Sequence, residues 1–250
     1  MAIIDYRNNV IYNWGNANAA YGGEVNIAGA VSQVNMVNNY CKPGPATASE
    51  LKFVHANYNA KDAKGTGQWF LSGNIMEGDK ALTKKNFKGI DLAEENYPPA
   101  AYAKNAFTIT AVLPEQKAKD AYESVLKNAG AVLPKRDAVD ERVVNETKTG
   151  TASGKGIFGK GGIIDLPAAV GGWPVYNTVS APVDTDNDGM PDAWETSNGT
   201  NPSVNDAMVV TASGYTNIEN YINGINAAYS QEYLRAPMKL KLDSATQNNL

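Results

Sequence analysis

Along the first third of the chain, short apolar runs rich in β-branched and aromatic residues alternate with polar corners, and the corners recur. Tyr6-Arg7-Asn8-Asn9-Val10-Ile11-Tyr12 is echoed by Met36-Val37-Asn38-Asn39-Tyr40-Cys41-Lys42 and, more loosely, by Leu71-Ser72-Gly73-Asn74-Ile75-Met76-Glu77. From Asn9 to Asn39 to Asn74 the steps are 30 and then 35 residues. Each echo closes on a glycine: Gly15, Gly44 and Gly78. Asn suits such a corner because it tolerates left-handed backbone angles, and its amide can bond to backbone or to another Asn stacked above it. Strands this short and this nearly continuously apolar fit a parallel, covered sheet better than a hairpin meander. The pattern predicts a mainly β fold, a short right-handed parallel β-helix whose rungs bury their inward side chains against one another. The alternative is a β-sandwich in which the Asn pair recurs by chance.

After Asn74 the repeat fades. Residues 79–110 are polar with Pro98-Pro99 near their middle, which predicts a long loop wrapping the solenoid. The period then changes to that of helices. Pro114 fits a first helical position, Ala118, Tyr122, Val125 and Leu126 share a face, and Gly130 gives the stop. A second helix is predicted over 137–147 with Val139, Val143 and Val144 inward, both helices flanking the solenoid as packing devices. Residues 149–160 read as a linker or strap. Residues 167–182, including Gly171-Gly172-Trp173-Pro174, read as extended chain with Trp173 and Tyr176 as packing anchors. The expected division is 1–180 for the truncated β-helix with its helices and strap, 181–226 for a small calcium-loop module, and 227–250 for a tail without start or stop signals.

Length and composition narrow the function classes. A chain of 250 residues with 43% apolar content can bury a core, and it holds no apolar run near the 18 residues of a membrane span. The formal charge is -4, yet residues 181–230 hold seven Asp or Glu and no Lys or Arg, which leaves the remainder at +3. Nucleic acid is not an expected partner, since no basic face is in view. The single Cys41 excludes an internal disulfide without deciding the compartment. The opening Met1-Ala2-Ile3-Ile4-Asp5-Tyr6 lacks the charged and apolar regions of a signal peptide, so none is expected in this chain.

One motif carries chemistry on its own. Asp184-Thr185-Asp186-Asn187-Asp188-Gly189-Met190-Pro191-Asp192-Ala193-Trp194-Glu195 fits the calcium-loop pattern D-x-D-x-D-G-x5-E without a mismatch. A hard dication wants six to eight oxygens. Asp184, Asp186 and Asp188 offer three, the Met190 carbonyl a fourth, and Glu195 a bidentate closure. Asp192 is expected as a further ligand or the holder of a water. With no Lys or Arg nearby, bound Ca2+ would relieve the repulsion among these carboxylates. The alternative is a solvated acidic turn. Two short helices flank the loop, the second capped by Thr216, as in dockerin-like modules where the ion is a structural staple.

The runs from Ile4 to Gly15, Tyr21-Gly22-Gly23-Glu24, Val37 to Thr47, Leu133 to Asp140 and Asp184 to Glu195 together resemble the C-terminal half of pectate lyases of polysaccharide lyase family 1, in the form found in Bacteroidetes. The resemblance implies a right-handed parallel β-helix that cleaves polygalacturonate by β-elimination. Ca2+ would bridge enzyme and uronate, and an Arg would remove the C5 proton. Secretion or periplasmic export is implied for the parent family. In that family the catalytic Arg and the ligands of the catalytic Ca2+ precede the strand matching Ile3 to Arg7, so none of them is carried over.

Three readings follow: a lyase by descent with little or no turnover, a shortened lyase with a rebuilt site, and a pectin-binding module without chemistry. The sequence favours the pectate lyase reading at family level, with Ca2+ as cofactor and pectin as partner. For a rebuilt site Arg7 and Lys42 are the base candidates, with Tyr21, Glu24, Tyr40 and Lys52 along the sugar. The single His55 is expected to be an ordinary loop residue. Because the solenoid enters a strand at once, an exposed rung edge is expected to pair in a homo-oligomer, a dimer or trimer.

Overall fold

A computed structural model describes residues 2–23, 29–56, 65–92, 102–109, 115–130, 132, 135–176 and 180–224. The chain divides into two compact units, Met1–Thr110 with Glu115–Val175, and Ala111–Pro114 with Tyr176–Leu250. Glu24 and the tail expected at 227–250 lie outside the described residues.

The first unit is built from three passes of the chain. Each pass gives one strand to each of three parallel sheets, in the orders β1 (Ala2–Arg7), β4 (Ala30–Val37), β7 (Gly65–Ser72); β2 (Val10–Tyr12), β5 (Tyr40–Lys42), β8 (Ile75–Met76); and β3 (Asn18–Gly22), β6 (Lys52–Ala56), β9 (Ile90–Leu92). Mainly β structure with stacked parallel strands is compatible with the expected β-helix. The register follows the sequence echoes: Tyr6 pairs with Met36 and Met36 with Leu71, Val10 with Tyr40 and Tyr40 with Ile75.

Equivalent positions therefore stack in columns, and the inward columns make the core. Val34 and Trp69, Met36 and Leu71, Cys41 and Met76, Val54 and Ile90 are all buried register pairs, with Phe53 beside them. Full burial of a side chain such as Met36 or Phe53 contributes roughly 1.5–3 kcal/mol. The outermost rung is less covered, for Ile3 is 44% and Ile4 49% exposed.

The corner between the first and second sheets uses two adjacent residues for two tasks. Asn8 and Asn38 take the left-handed turn at φ 56° and 53°, and Gly73 takes it at 67° in the third pass. A Cβ on Gly73 would collide with Asn38 Oδ1, so a larger residue at the third corner would have to displace that side chain. The next residues, Asn9, Asn39 and Asn74, stack as an amide ladder. Asn9 Nδ2 donates to Asn39 Oδ1 at 2.9 Å and Asn39 Nδ2 to Asn74 Oδ1 at 2.8 Å.

Beyond Asn74 the repeat does not dissolve. Instead of a long loop from residue 79, helix α1 (Lys80–Lys84), a 3-10 turn over Asn86–Gly89 and strand β9 complete the third pass. These elements are too short to show a period, but their ends are chemically defined. Asp79 caps α1 by accepting from the Ala81 and Leu82 amides, and Asn86 Oδ1 accepts from Asn74 N, ending the ladder. Residues 102–109 do wrap the sheet, with Tyr102 bridged to Trp69 and Phe107 N donating to the buried Asn35 side chain.

Two flanking helices appear as expected. Helix α2 (Ala118–Asn128) buries Ala118 and Ala121, while Pro114 lies outside the described residues. Helix α3 (Ala138–Thr149) is capped by Asp137 and ends at Gly150 in the left-handed conformation. Its buried residues are Glu146 and Thr147 rather than Val143, which is 46% exposed. Glu146 sets that orientation, accepting from Ser153 N at 2.8 Å and pairing with Arg142. The strap beyond α3 is tied down where Gly161 O accepts from Asn13 Nδ2 and Gly15 O accepts from Lys160 Nζ. Trp173 and Tyr176, expected as anchors, are instead 82% and 64% exposed. The glycines at 171 and 172 hold the backbone at positive φ just before them.

Candidate functional site

In the first unit the sequence-derived site residues separate onto different sheets. Arg7 ends β1, where its Nε donates to both Asp5 oxygens at 2.9 and 2.8 Å. The two side chains are 17% and 12% exposed, so this pair is held close to the sheet. Lys42 and Tyr40 sit together on β5 beside α2. Lys42 Nζ lies 2.8 Å from Glu77 Oε1, Tyr40 OH donates to Glu77 Oε2 at 2.7 Å, and the Tyr40 ring stacks on Tyr122 with centroids 4.3 Å apart. Burial works against the Lys42 charge, yet the Glu77 carboxylate and Tyr122 outweigh it and hold the ammonium pKa above its ordinary value. An amine held this way is a poor base. Burial, followed by the bond to Glu77, likewise raises the Tyr40 phenol.

The third sheet carries the other sugar-side candidates. Tyr21 on β3 is 68% exposed and pairs in register with His55 on β6. Both line a shallow concavity with Asn16 and Asn18. Lys52 begins the same strand as His55 and lies 3.3 Å from Glu50. His55 is a strand residue, not a loop residue, and its Nδ1 is 2.8 Å from Asp91 Oδ2 on β9. An exposed aromatic ring beside polar groups is suited to a sugar ring, whose apolar face stacks and whose hydroxyls hydrogen-bond.

The second unit gathers charge. Asp184, Asp186 and Asp188 each place a carboxylate oxygen within 4.8 Å of the others, and Asp188, Glu195 and Asp206 do the same. The turn is made by Asn187 at φ 59° and Gly189 at 94°. Backbone amides turn inward onto the carboxylates: Gly189 N donates to Asp184 Oδ2 at 3.0 Å and Met190 N to Asp188 Oδ1 at 3.0 Å. Asp192 opens helix α4 (Asp192–Asn198), and its two oxygens accept from Thr185 N and Oγ1 at 2.8 and 2.7 Å. It braces the loop through Thr185. Helix α5 (Asn217–Gly224) follows the expected cap, in which Thr216 Oγ1 accepts from Glu219 N and Glu219 accepts from Thr216 N. Trp194 and Tyr221 meet edge to face at 5.3 Å between the two helices.

These residues fit a hard dication. Glu195 is fully buried with neither carboxylate oxygen hydrogen-bonded, and Asp186 Oδ2 and Asp188 Oδ2 are also buried and unpaired. Leaving such groups without a partner is costly, and a cation among them removes that cost. Burial, and then the charges of Asp186, Asp188, Asp192 and Asp206, push the Glu195 carboxyl up. Asp206 lies outside the 12-residue motif, so motif spacing alone did not reveal it.

Stacked parallel sheets braced by an amide ladder make up the first unit, and a loop of clustered carboxylates marks the second. Comparison with curated proteins gives the family. The chain is 30% identical over 222 residues to a probable pectate lyase C of Aspergillus fumigatus and 33% identical over 234 residues to one of Aspergillus flavus; each match takes in 88% of this chain and 48% of the relative. A probable pectate lyase C of Emericella nidulans is 30% identical over 236 residues, 88% of this chain and 47% of that one. No family model matches. By these relatives the chain belongs to the pectate lyase family, and it spans about half the length of the curated relatives it matches. No helix among the described residues is long and apolar enough to cross a membrane.

Proposed function

We propose that the chain is a secreted, pectate lyase-like protein that engages polygalacturonate with Ca2+, and that its stacked sheets are a short right-handed parallel β-helix serving as scaffold and sugar surface. The hand follows the general rule for parallel crossovers. In the lyase reaction Ca2+ would supply acidification of the proton alpha to the uronate carboxylate. On this chain the exposed Tyr21, with His55 and Lys52 on the neighbouring strand, would receive the sugar.

The observation that carries a binding role, rather than elimination by a rebuilt site, is that both base candidates are already paired. Arg7 is held by Asp5 and Lys42 by Glu77. An acidic chain of pI near 5.1 and a polyanion repel at neutral pH, so a bridging cation offsets that repulsion. The test is paired: retention on immobilised polygalacturonate with Ca2+ and with chelator, and ultraviolet absorbance of the unsaturated product over the same range. Calcium-dependent retention without absorbance is expected. Absorbance that grows with Ca2+ and vanishes in Arg7→Ala or Lys42→Ala would overturn the binding role in favour of a rebuilt lyase.

Assembly belongs to the same reading. The exposed apolar side chains of Ile3 and Ile4 on β1 are the surface on which a dimer or trimer would pair. Light scattering that returns a mass near 26.7 kDa at micromolar concentration would contradict it.

A further inference from the structure

The second unit repeats itself at a spacing of 25 residues. Asp184, Asp186, Asp188, Gly189 and Glu195 correspond to Val209, Thr211, Ser213, Gly214 and Asn220, and the helices start at Asp192 and Asn217, again 25 apart. The glycines match, Gly189 and Gly214 sitting at φ 94° and 84°, whereas Asn187 is left-handed at φ 59° and its counterpart Ala212 is not. Local hydrogen bonds match as well. Asp188 N donates to Asp186 Oδ1 at 3.2 Å as Ser213 N donates to Thr211 Oγ1 at 3.3 Å. Met190 N donates to Asp188 Oδ1 at 3.0 Å as Tyr215 N donates to Ser213 Oγ at 3.3 Å.

What fills the two loops differs. In the second, Thr211 Oγ1 and Ser213 Oγ are 2.7 Å apart, Ser213 Oγ donates to Asn220 Oδ1 at 3.2 Å, and Asn220 Nδ2 donates to Thr211 Oγ1 at 3.0 Å. Three neutral side chains thus bond to one another at the positions that carry Asp186, Asp188 and Glu195 in the first loop. Those groups both donate and accept, so the ring satisfies itself. The carboxylates only accept, and Glu195 is left buried with both oxygens unpaired. A further oxygen reaches the first loop from the connector between the helices, where Asp206 joins Asp188 and Glu195. Asn217, the first residue of α5 and 6% exposed, fixes Asp206 by donating to its backbone oxygen and to Oδ1, each at 3.0 Å.

We propose that the second unit is a duplicated loop and helix that takes a single divalent cation, held in the first loop with Asp206 as a ligand from outside the motif, while the second loop is a metal-free replica sealed by Thr211, Ser213 and Asn220. This rests on the calcium reading of the first loop. The division of labour follows from chemistry: the charged loop needs an ion, and the neutral loop holds its shape in order to present Asn217 and, through it, Asp206.

The test is calorimetric titration of the full chain with Ca2+, without polysaccharide. One ion per chain is expected. Asp206→Asn, which keeps shape and the bond to Asn217, should weaken binding at least ten-fold. Val209→Asp, Thr211→Asp, Ser213→Asp and Asn220→Glu together should raise the count to two, provided circular dichroism shows the variant folded. Two ions on the unaltered chain, unchanged affinity in Asp206→Asn, or one ion on the folded fourfold variant would each overturn the inference. No heat from the unaltered chain would instead remove the calcium reading on which it rests.

Discussion

The corner of the stacked sheets and the acidic loop pose the same problem, a set of polar side chains packed against each other, and solve it in opposite ways. Along the ladder, Asn39 Oδ1 receives both Asn9 N and Asn9 Nδ2, while Asn39 N and Nδ2 pass on to Asn74 Oδ1. Asn86 ends the line by giving its amide to Leu82 O and Thr83 O. Every side chain in this line is neutral and hydrogen-bonded. In the acidic loop, Asp188 and Asp206 converge on a fully buried Glu195 whose carboxylate has no hydrogen bond. The ladder joins its amides within the chain, whereas on the proposed reading the loop takes an ion to satisfy its carboxylates. Amides can stack without limit because each is donor and acceptor; carboxylates can gather only around positive charge.

The largest expected effect breaks the ladder by making it resemble the loop. Asn39→Asp places an acceptor-only, charged group at a position that is fully buried. It should cost about 3 kcal/mol or more at neutral pH, the scale of an uncompensated buried charge. Burial would raise the folded-state pKa of that Asp above its unfolded value. The loss should therefore shrink as pH falls through the folded pKa, where the proton restores neutrality and a donor. Urea unfolding at two pH values reads this. A substitution that is harmless at neutral pH would show that the ladder is not what holds the corner.

The ladder was legible in the sequence because an Asn returns at the same corner in every pass, behind a second Asn in the first two and Gly73 in the third. Its division of roles was not, since Asn8 and Asn9 differ only in which backbone angle each adopts. Asn86 was invisible for a different reason: it lies 12 residues from Asn74 and in no repeat, and only tertiary contact makes it the final member. Likewise a valine period predicted the inner face of α3, and one buried Glu146 with three bonds overrode it. In the second unit, strict spacing made the motif readable at once. Asp206 escaped because its meaning depends on Asn217, which only folding brings to it.

Next in size is removal of the ion. At Ca2+ a hundred times its dissociation constant, binding to the folded state alone adds about 2.7 kcal/mol. Chelator should therefore open residues 184–224 to protease and lower their unfolding temperature, while the solenoid, whose ladder holds no charge, keeps its protection. Hydrogen exchange resolves the two units in one sample. Equal loosening of both, or of neither, would erase the contrast between a self-sufficient corner and an ion-dependent loop.

The smallest effect has the sharpest sign. Glu195→Gln exchanges one carboxylate oxygen for an amide donor without changing shape. With Ca2+ it removes a bidentate, charged ligand, so binding weakens and the second unit melts earlier. In chelator the sign reverses. The repulsion from Asp186, Asp188, Asp192 and Asp206 that pushes the Glu195 carboxyl up disappears with the charge, and the new amide can donate to the buried, unpaired oxygens of Asp186 or Asp188. The variant should therefore melt slightly later than the unaltered chain without calcium and earlier with it, by shifts smaller than that of calcium itself. The crossing of the two melting curves is the signature, because a residue that merely packs would move both in the same direction. It would also turn the acidic loop one step toward its neighbour, where Asn220 already stands in the place of Glu195 and needs no ion.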